Sequence, residues 1–148
     1  MISMAEISRH VWVCDPSYVE LFIQDLAALD VSDAGVSAAA VKLPPPYDVR
    51  EGVAHIEIGG MILRDVPAAY KLFGVNATSA TEVGRAIELA LLDDSVDSVM
   101  LNIDSPGGTL AGTAELAASI YSARDVKPIN AHATDLAASA AYWIGAQA

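Results

Sequence analysis

Two short stretches of this chain hold residues whose types and spacing can do chemistry together. One is the glycine pair Gly107-Gly108, which closes the run Asp104-Ser105-Pro106-Gly107-Gly108. The other is Ser139, set in Ala138-Ser139-Ala140-Ala141-Tyr142-Trp143. A glycine turn after a buried strand exposes backbone N–H groups without a side chain in the way. A serine at the start of a helix brings a hydroxyl, and the N–H after it has no acceptor within the helix. Acyl transfer needs a nucleophile and N–H donors that receive the developing oxyanion. Ser139 is therefore the candidate nucleophile, and the backbone N–H groups of Gly108 and Ala140 are the candidate oxyanion donors. The helix dipole adds favourable potential for a developing anion at Ala140. A plainer reading stands beside this one: a strand-to-helix turn at Gly107-Gly108, and Ser139 as an N-cap.

A serine hydroxyl is a weak nucleophile without a base. The lysines are Lys42, Lys71 and Lys127. Lys127 precedes the strand that leads to Ser139, which puts it about 20 Å away at the wrong end of the sheet. Lys42 falls in a linker and Lys71 in an unassigned loop, where it is the only conceivable local base. His132 reads as a packed or exposed strand residue. Asp104 and Asp135 sit at strand ends, where carboxylates cap turns.

The elements that must position these residues follow from periodicity. Asp15-Pro16 signals a helix start, an N-cap carboxylate followed by proline at the first helical position. Val19, Phe22, Ile23, Leu26 and Leu29 follow at helical spacing, for a helix of about four turns. Core packing and docking are equal readings of it. Residues 31–50, rich in Ala and Ser with Pro44-Pro45-Pro46, read as a linker. This divides the chain into an N-terminal helical segment (1–30), the linker (31–50) and an α/β region (51–148). In that region, strands are expected over 53–58, 96–103 and 128–133, with the second covered on both faces. Residues 64–77 read as a loop. Ser79 and Glu82 form a capping box opening a helix. Further helices are expected over 109–124 and from about Ala138, with Tyr142 and Trp143 read as core packing under the site ahead of the alternative, direct substrate contact. The order β-α-β-α-β-α implies a parallel sheet built of βαβ units. Ligands bind at the C-terminal edge of such a sheet, where Gly108 and Ser139 would meet.

The bulk numbers narrow the function. The chain has 148 residues, 53% hydrophobic and 18% charged, which suits one modest α/β domain and opposes disorder. A net charge of −11 speaks against nucleic-acid partners and against docking on anionic membranes. A single cysteine, Cys14, rules out an internal disulfide and a Cys-rich metal site, and makes a reducing compartment the default. His10, His55 and His132 have no metal-ligand spacing. No stretch approaches the ~18 apolar residues of a membrane span. No cofactor or metal is expected.

Together, the Ser-Pro-Gly-Gly block and the Ala-Ser-Ala-Ala-Tyr-Trp block resemble the S49 serine peptidases, the signal peptide peptidase A group. The resemblance is greatest to the phage-encoded branch that processes proheads during capsid maturation, and it runs from about Trp12 to the last residue. It implies a ClpP/crotonase-type fold and a Ser–Lys dyad with Ser139 as nucleophile. It also implies protein or peptide substrates, either phage capsid and scaffold proteins or signal-peptide-like segments, a homo-oligomer and capsid, portal or scaffold partners. The dyad lysine of this family lies well downstream of the serine, beyond Ala148. The expectation is thus the N-terminal part of a peptidase, incomplete at its C-terminus and inactive alone. The absence of a membrane span favours the phage branch and a cytoplasmic or prohead location. A crotonase-type acyl-CoA enzyme, or a non-catalytic assembly component with a degenerate peptidase fold, are the alternatives.

Overall fold

The computed structural model describes residues 9–29, 46–67, 70–71 and 73–148. The linker up to residue 45, with Lys42 in it, lies outside the described residues. The chain forms, in order, β1 (Trp12–Val13), α1 (Pro16–Ala27), β2 (Asp48–Arg50), β3 (Val53–Gly59), β4 (Met61–Leu63) and β5 (Ala77–Ser79). These are followed by α2 (Ala80–Leu92), β6 (Ser98–Ser105), β7 (Gly108–Thr109), α3 (Thr113–Ala123), β8 (Ile129–Ala137) and α4 (Ala140–Gly145).

The expected strands are β3, β6 and β8, and they lie parallel side by side. β2 adds an antiparallel edge, so the order is β2-β3-β6-β8. Asp48–Arg50, which composition assigns to the linker, thus belongs to this sheet. The last strand runs past residue 133 to Ala137, with a register irregularity between Ile103 and Ser105. A single sheet accounts for only half of the strands. A second one, β1-β7-β4-β5, is built from pieces two or three residues long. Such pieces are too short to show a period of two in sequence. Two of them, β4 and β5, flank the expected loop, and Ala77 already belongs to β5.

Helix starts follow local chemistry. The Asp15 side chain accepts from Ser17 N (2.9 Å) and caps α1, which runs for 12 residues, about three turns rather than four. Ser79 caps α2 by accepting from Glu82 N (3.3 Å). The third helix begins at Thr113 rather than at 109, because Gly108–Thr109 pair as strand β7. Gly112 then turns the chain at φ 88°, and the Thr113 hydroxyl donates to the Thr109 carbonyl (2.7 Å).

The core lies between the main sheet and its helices. Ile56 and Ile58 of β3 and Val99, Leu101 and Ile103 of β6 pack against α2 (Val83, Ile87, Ala90), α3 (Leu116, Ile120) and α4 (Ile144). Burial of these aliphatic side chains is the main stabilising term. Coverage on both faces is not what β6 shows among the described residues. Val99, Leu101, Ile103 and Ser105 are buried, whereas Asp104 is exposed and Asn102 is half-buried. On that open face Asn102 Nδ2 donates to Glu57 Oε1 (2.7 Å) and lies 3.3 Å from His55 Nδ1. A second cluster joins Phe22 of α1 to Met61, Leu63, Val66 and Tyr70, with Trp12, Cys14 and Leu26 against it. The N-terminal helix therefore packs on the small sheet. Tyr18 and Leu21 remain on its exposed side.

Candidate active site

The glycine turn begins at Ser105, a fully buried polar residue at the end of β6. Its hydroxyl donates to the Gly60 carbonyl (2.6 Å) and accepts from Gly107 N (3.1 Å). Sequence reading assigned Ser105 no role of its own, and its position inside Ser-Pro-Gly-Gly is the signal that could have pointed to it. It ties the turn to the end of β3. Gly107 takes φ 106°, which L side chains rarely adopt. Gly108 is glycine for a different reason: a Cβ there would overlap the Ile62 carbonyl of β4, because the strands approach closely.

Ser139 lies beside this turn. A Cβ built on Gly107 would stand 3.0 Å from Ser139 Cβ and 3.0 Å from Ala140 N. The structure thus brings together Gly107, Gly108, Ser139 and Ala140. The N-cap reading of Ser139 fails on geometry. Its side chain makes no cap hydrogen bond, and its backbone is at φ 54°, ψ −117°. A non-glycine residue at positive φ is strained, by about 1–3 kcal/mol, and such residues cluster at functional sites. The turn aims the hydroxyl away from α4, and it donates instead to the Val13 carbonyl of β1 (2.6 Å). Ala140 is the first residue of α4, so its N–H is among the four with no intrahelical acceptor. Because glycine relieves this strain and alanine does not, Ser139→Gly should melt above Ser139→Ala, by about 1 kcal/mol of stability. Both variants lose the hydroxyl, so thermal unfolding of the pair isolates the backbone.

Val13 links the two halves of the site. It opposes Gly108 in the antiparallel β1–β7 ladder, as Trp12 opposes Thr109. Leu110 N donates to Val11 O (2.7 Å). Antiparallel pairs alternate between bonded and non-bonded, so Val13–Gly108 is again a bonded pair. The Gly108 N–H and the Ser139 hydroxyl therefore converge on one peptide carbonyl. Beside it, Cys14 is a half-buried free thiol whose pKa is raised by burial and, secondarily, by the Asp15 carboxylate. That disfavours the thiolate and makes Cys14 a poor competing nucleophile.

The described lysines lie elsewhere. Lys71 pairs with Glu82. Lys127 Nζ donates to the carbonyls of Ala90 (2.9 Å) and Asp93 (2.8 Å), at the end of the sheet where β6 begins. His132 is an exposed residue in mid-β8, opposite Asn102. Asp104 and Asp135 are exposed. Tyr142 and Trp143 are 67% and 40% exposed, which corrects their reading as core packing. Ala140, Ala141 and Ile144 fill that role, because α4 begins at Ala140 and turns those residues inward. No group of His, Cys, Asp or Glu among the described residues could hold a metal ion. No described helix is long and apolar enough to cross a membrane.

No family model matches the chain. Among curated proteins, it is 30% identical over 102 residues to capsid assembly protease C of Escherichia phage lambda, covering 69% of this chain. It is 34% identical over 95 residues to head-tail preconnector protein GP5 of Enterobacteria phage P21, covering 64% of this chain. The matches take in only 23% and 19% of those relatives, so the chain spans about a fifth of their length. A mixed α/β chain with a parallel sheet and a strained serine beside a glycine turn is thus similar in sequence to phage proteins of the prohead-protease kind.

Proposed function

We propose that this chain carries the nucleophile and oxyanion donors of a serine endopeptidase of the S49, Ser–Lys dyad type, built on a ClpP/crotonase-like sheet. Its substrates would be capsid or scaffold proteins processed during phage head maturation, in the host cytoplasm or the prohead. The observation that carries the proposal is the Val13 carbonyl, on which the strained Ser139 hydroxyl and the Gly108 N–H converge. A peptide carbonyl at that point lies within reach of both the Ser139 hydroxyl and an N–H donor, the two kinds of group that acyl transfer needs beside a scissile carbonyl. The similarity to a capsid assembly protease supports the substrate class.

In the reaction, Ser139 Oγ attacks the substrate carbonyl carbon and passes its proton to a base. The N–H groups of Gly108 and Ala140 receive the oxyanion. Collapse of the tetrahedral intermediate expels the amine, which takes the proton from the base. The base then takes a proton from water as it attacks the acyl-enzyme and returns it to Ser139 Oγ as the acid product leaves. In this reading the base is the downstream lysine that the resemblance to S49 peptidases implies; of the described lysines, Lys71 pairs with Glu82 and Lys127 is bonded to the Ala90 and Asp93 carbonyls. β8, paired only with β6 among the described residues, offers an edge on which such a segment can add.

The test is labelling by a serine-directed fluorophosphonate. The 148-residue chain alone should label slowly at Ser139, since a base must lie within about 3 Å or one water of the hydroxyl. The complete gene product should label rapidly. Fast labelling of the isolated chain that Lys71→Ala abolishes would put the base in the wrong place. A complete protein that never labels or cleaves would favour the non-catalytic assembly reading.

A further inference from the structure

The peptide at the candidate site belongs to this chain itself. We infer that residues 11–13 are a built-in occupant of the substrate groove, which blocks Ser139 until an extended segment of another protein displaces them. The inference rests on the peptidase reading of the site and concerns its regulation. β7 has β4 on one side and β1 on the other. With β1 removed, β7 becomes a sheet edge, and its Gly108 and Leu110 N–H groups face outward for a substrate strand to join. With β1 in place, those groups are taken: Leu110 N donates to Val11 O, and Gly108 opposes Val13 in a bonded pair. The Ser139 hydroxyl is committed to the Val13 carbonyl. A Cβ on Gly107 would lie 2.6 Å from that same oxygen, so the segment fills the space that the glycine keeps open. Occupant and substrate are mutually exclusive.

The occupant is built to be displaceable. Its ladder is two residues long, and Val11 is 65% exposed. What holds it is tethering. Only Cys14 and Asp15 separate β1 from α1, and α1 is packed on the small sheet through Phe22. Tethering gives the segment a high effective concentration without strong contacts. Trp12 is the anchor: its ring meets Phe22 edge-on at 6.4 Å, on the wall of a cleft of about 210 Å³ shared with Leu63, Tyr70 and Thr109. A displacing segment that presents a large apolar side chain there would take over the Trp12 position.

Hydrogen exchange and cleavage in trans test this on the complete gene product. In wild type the Leu110 amide should exchange slowly. Val13→Pro removes the N–H that β1 gives to Gly108, and Trp12→Ala removes the anchor. In both, exchange at Leu110 and the initial rate of cleavage of casein should rise roughly five- to tenfold. A synthetic peptide of residues 9–15 should slow the Val13→Pro protein again. An unprotected Leu110 amide in wild type, or Ser139-dependent cleavage unchanged in both variants, overturns the occupant and leaves Ser139 as nucleophile. Release of the segment by cleavage between Val13 and Cys14, read by mass spectrometry, also overturns it, because the segment would then be substrate rather than block. Cleavage that survives Ser139→Ala while Leu110 stays protected sinks the peptidase reading instead.

Discussion

Ser139→Ala should abolish proteolysis by the complete protein, with a fall in kcat of about 10⁴-fold or more, the scale seen when a serine protease loses its nucleophile. The fold should survive. Ser139 lies on the solvent side of the α4 start, and its side chain makes one hydrogen bond, to Val13 O. The strained backbone at φ 54° is unchanged by alanine. Circular dichroism and thermal unfolding of the variant should therefore stay close to wild type while cleavage is lost. Cleavage undiminished in Ser139→Ala would remove this serine from the mechanism. Loss of cleavage together with loss of the folded state would make Ser139 a structural residue.

Gly108→Ala should be damaging for both structure and function, although it leaves the backbone N–H in place. The new Cβ would overlap the Ile62 carbonyl, and a carbonyl held in a sheet moves only if its strand moves. Overpacking of this kind costs about 1–3 kcal/mol. It should also displace the Gly108 N–H from the oxyanion position, where losing one donor costs about 10²–10³ in kcat. The expected result is a lower melting temperature and a drop in kcat larger than in KM. Gly107→Ala separates the two effects. Its Cβ would point at the Val13 oxygen (2.6 Å) and Ser139 Cβ (3.0 Å) rather than into β4. It should block occupancy of the groove as well as straining a position at φ 106°. A Gly108→Ala protein as stable and active as wild type would mean that β4 and β7 do not lie as close as described.

Much of this molecule is written in local sequence. Asp15-Pro16 and Ser79 with Glu82 fix two helix starts, because an N-cap needs only residues within one turn. The regularly spaced aliphatic residues of β3 and β6 fix two neighbouring parallel strands, since they can be buried only against helices supplied by the intervening chain, whereas β8 is buried at Ile129 and exposed over most of its length. The glycine pair and Ser139 stand out by residue type alone. Tertiary structure decided the rest. The small sheet pairs Trp12 with Thr109 and Met61 with Ala77, through strands too short to carry a period of their own. The exposure of Tyr142 and Trp143 depends on where α4 begins, one residue after a serine whose positive φ no propensity foretells. The bond from Ser139 to Val13 spans 126 positions. Sequence names a candidate nucleophile and candidate donors, but only the folded chain can lay its own N-terminal strand across them, because hydrogen bonds between distant strands leave no mark on local composition.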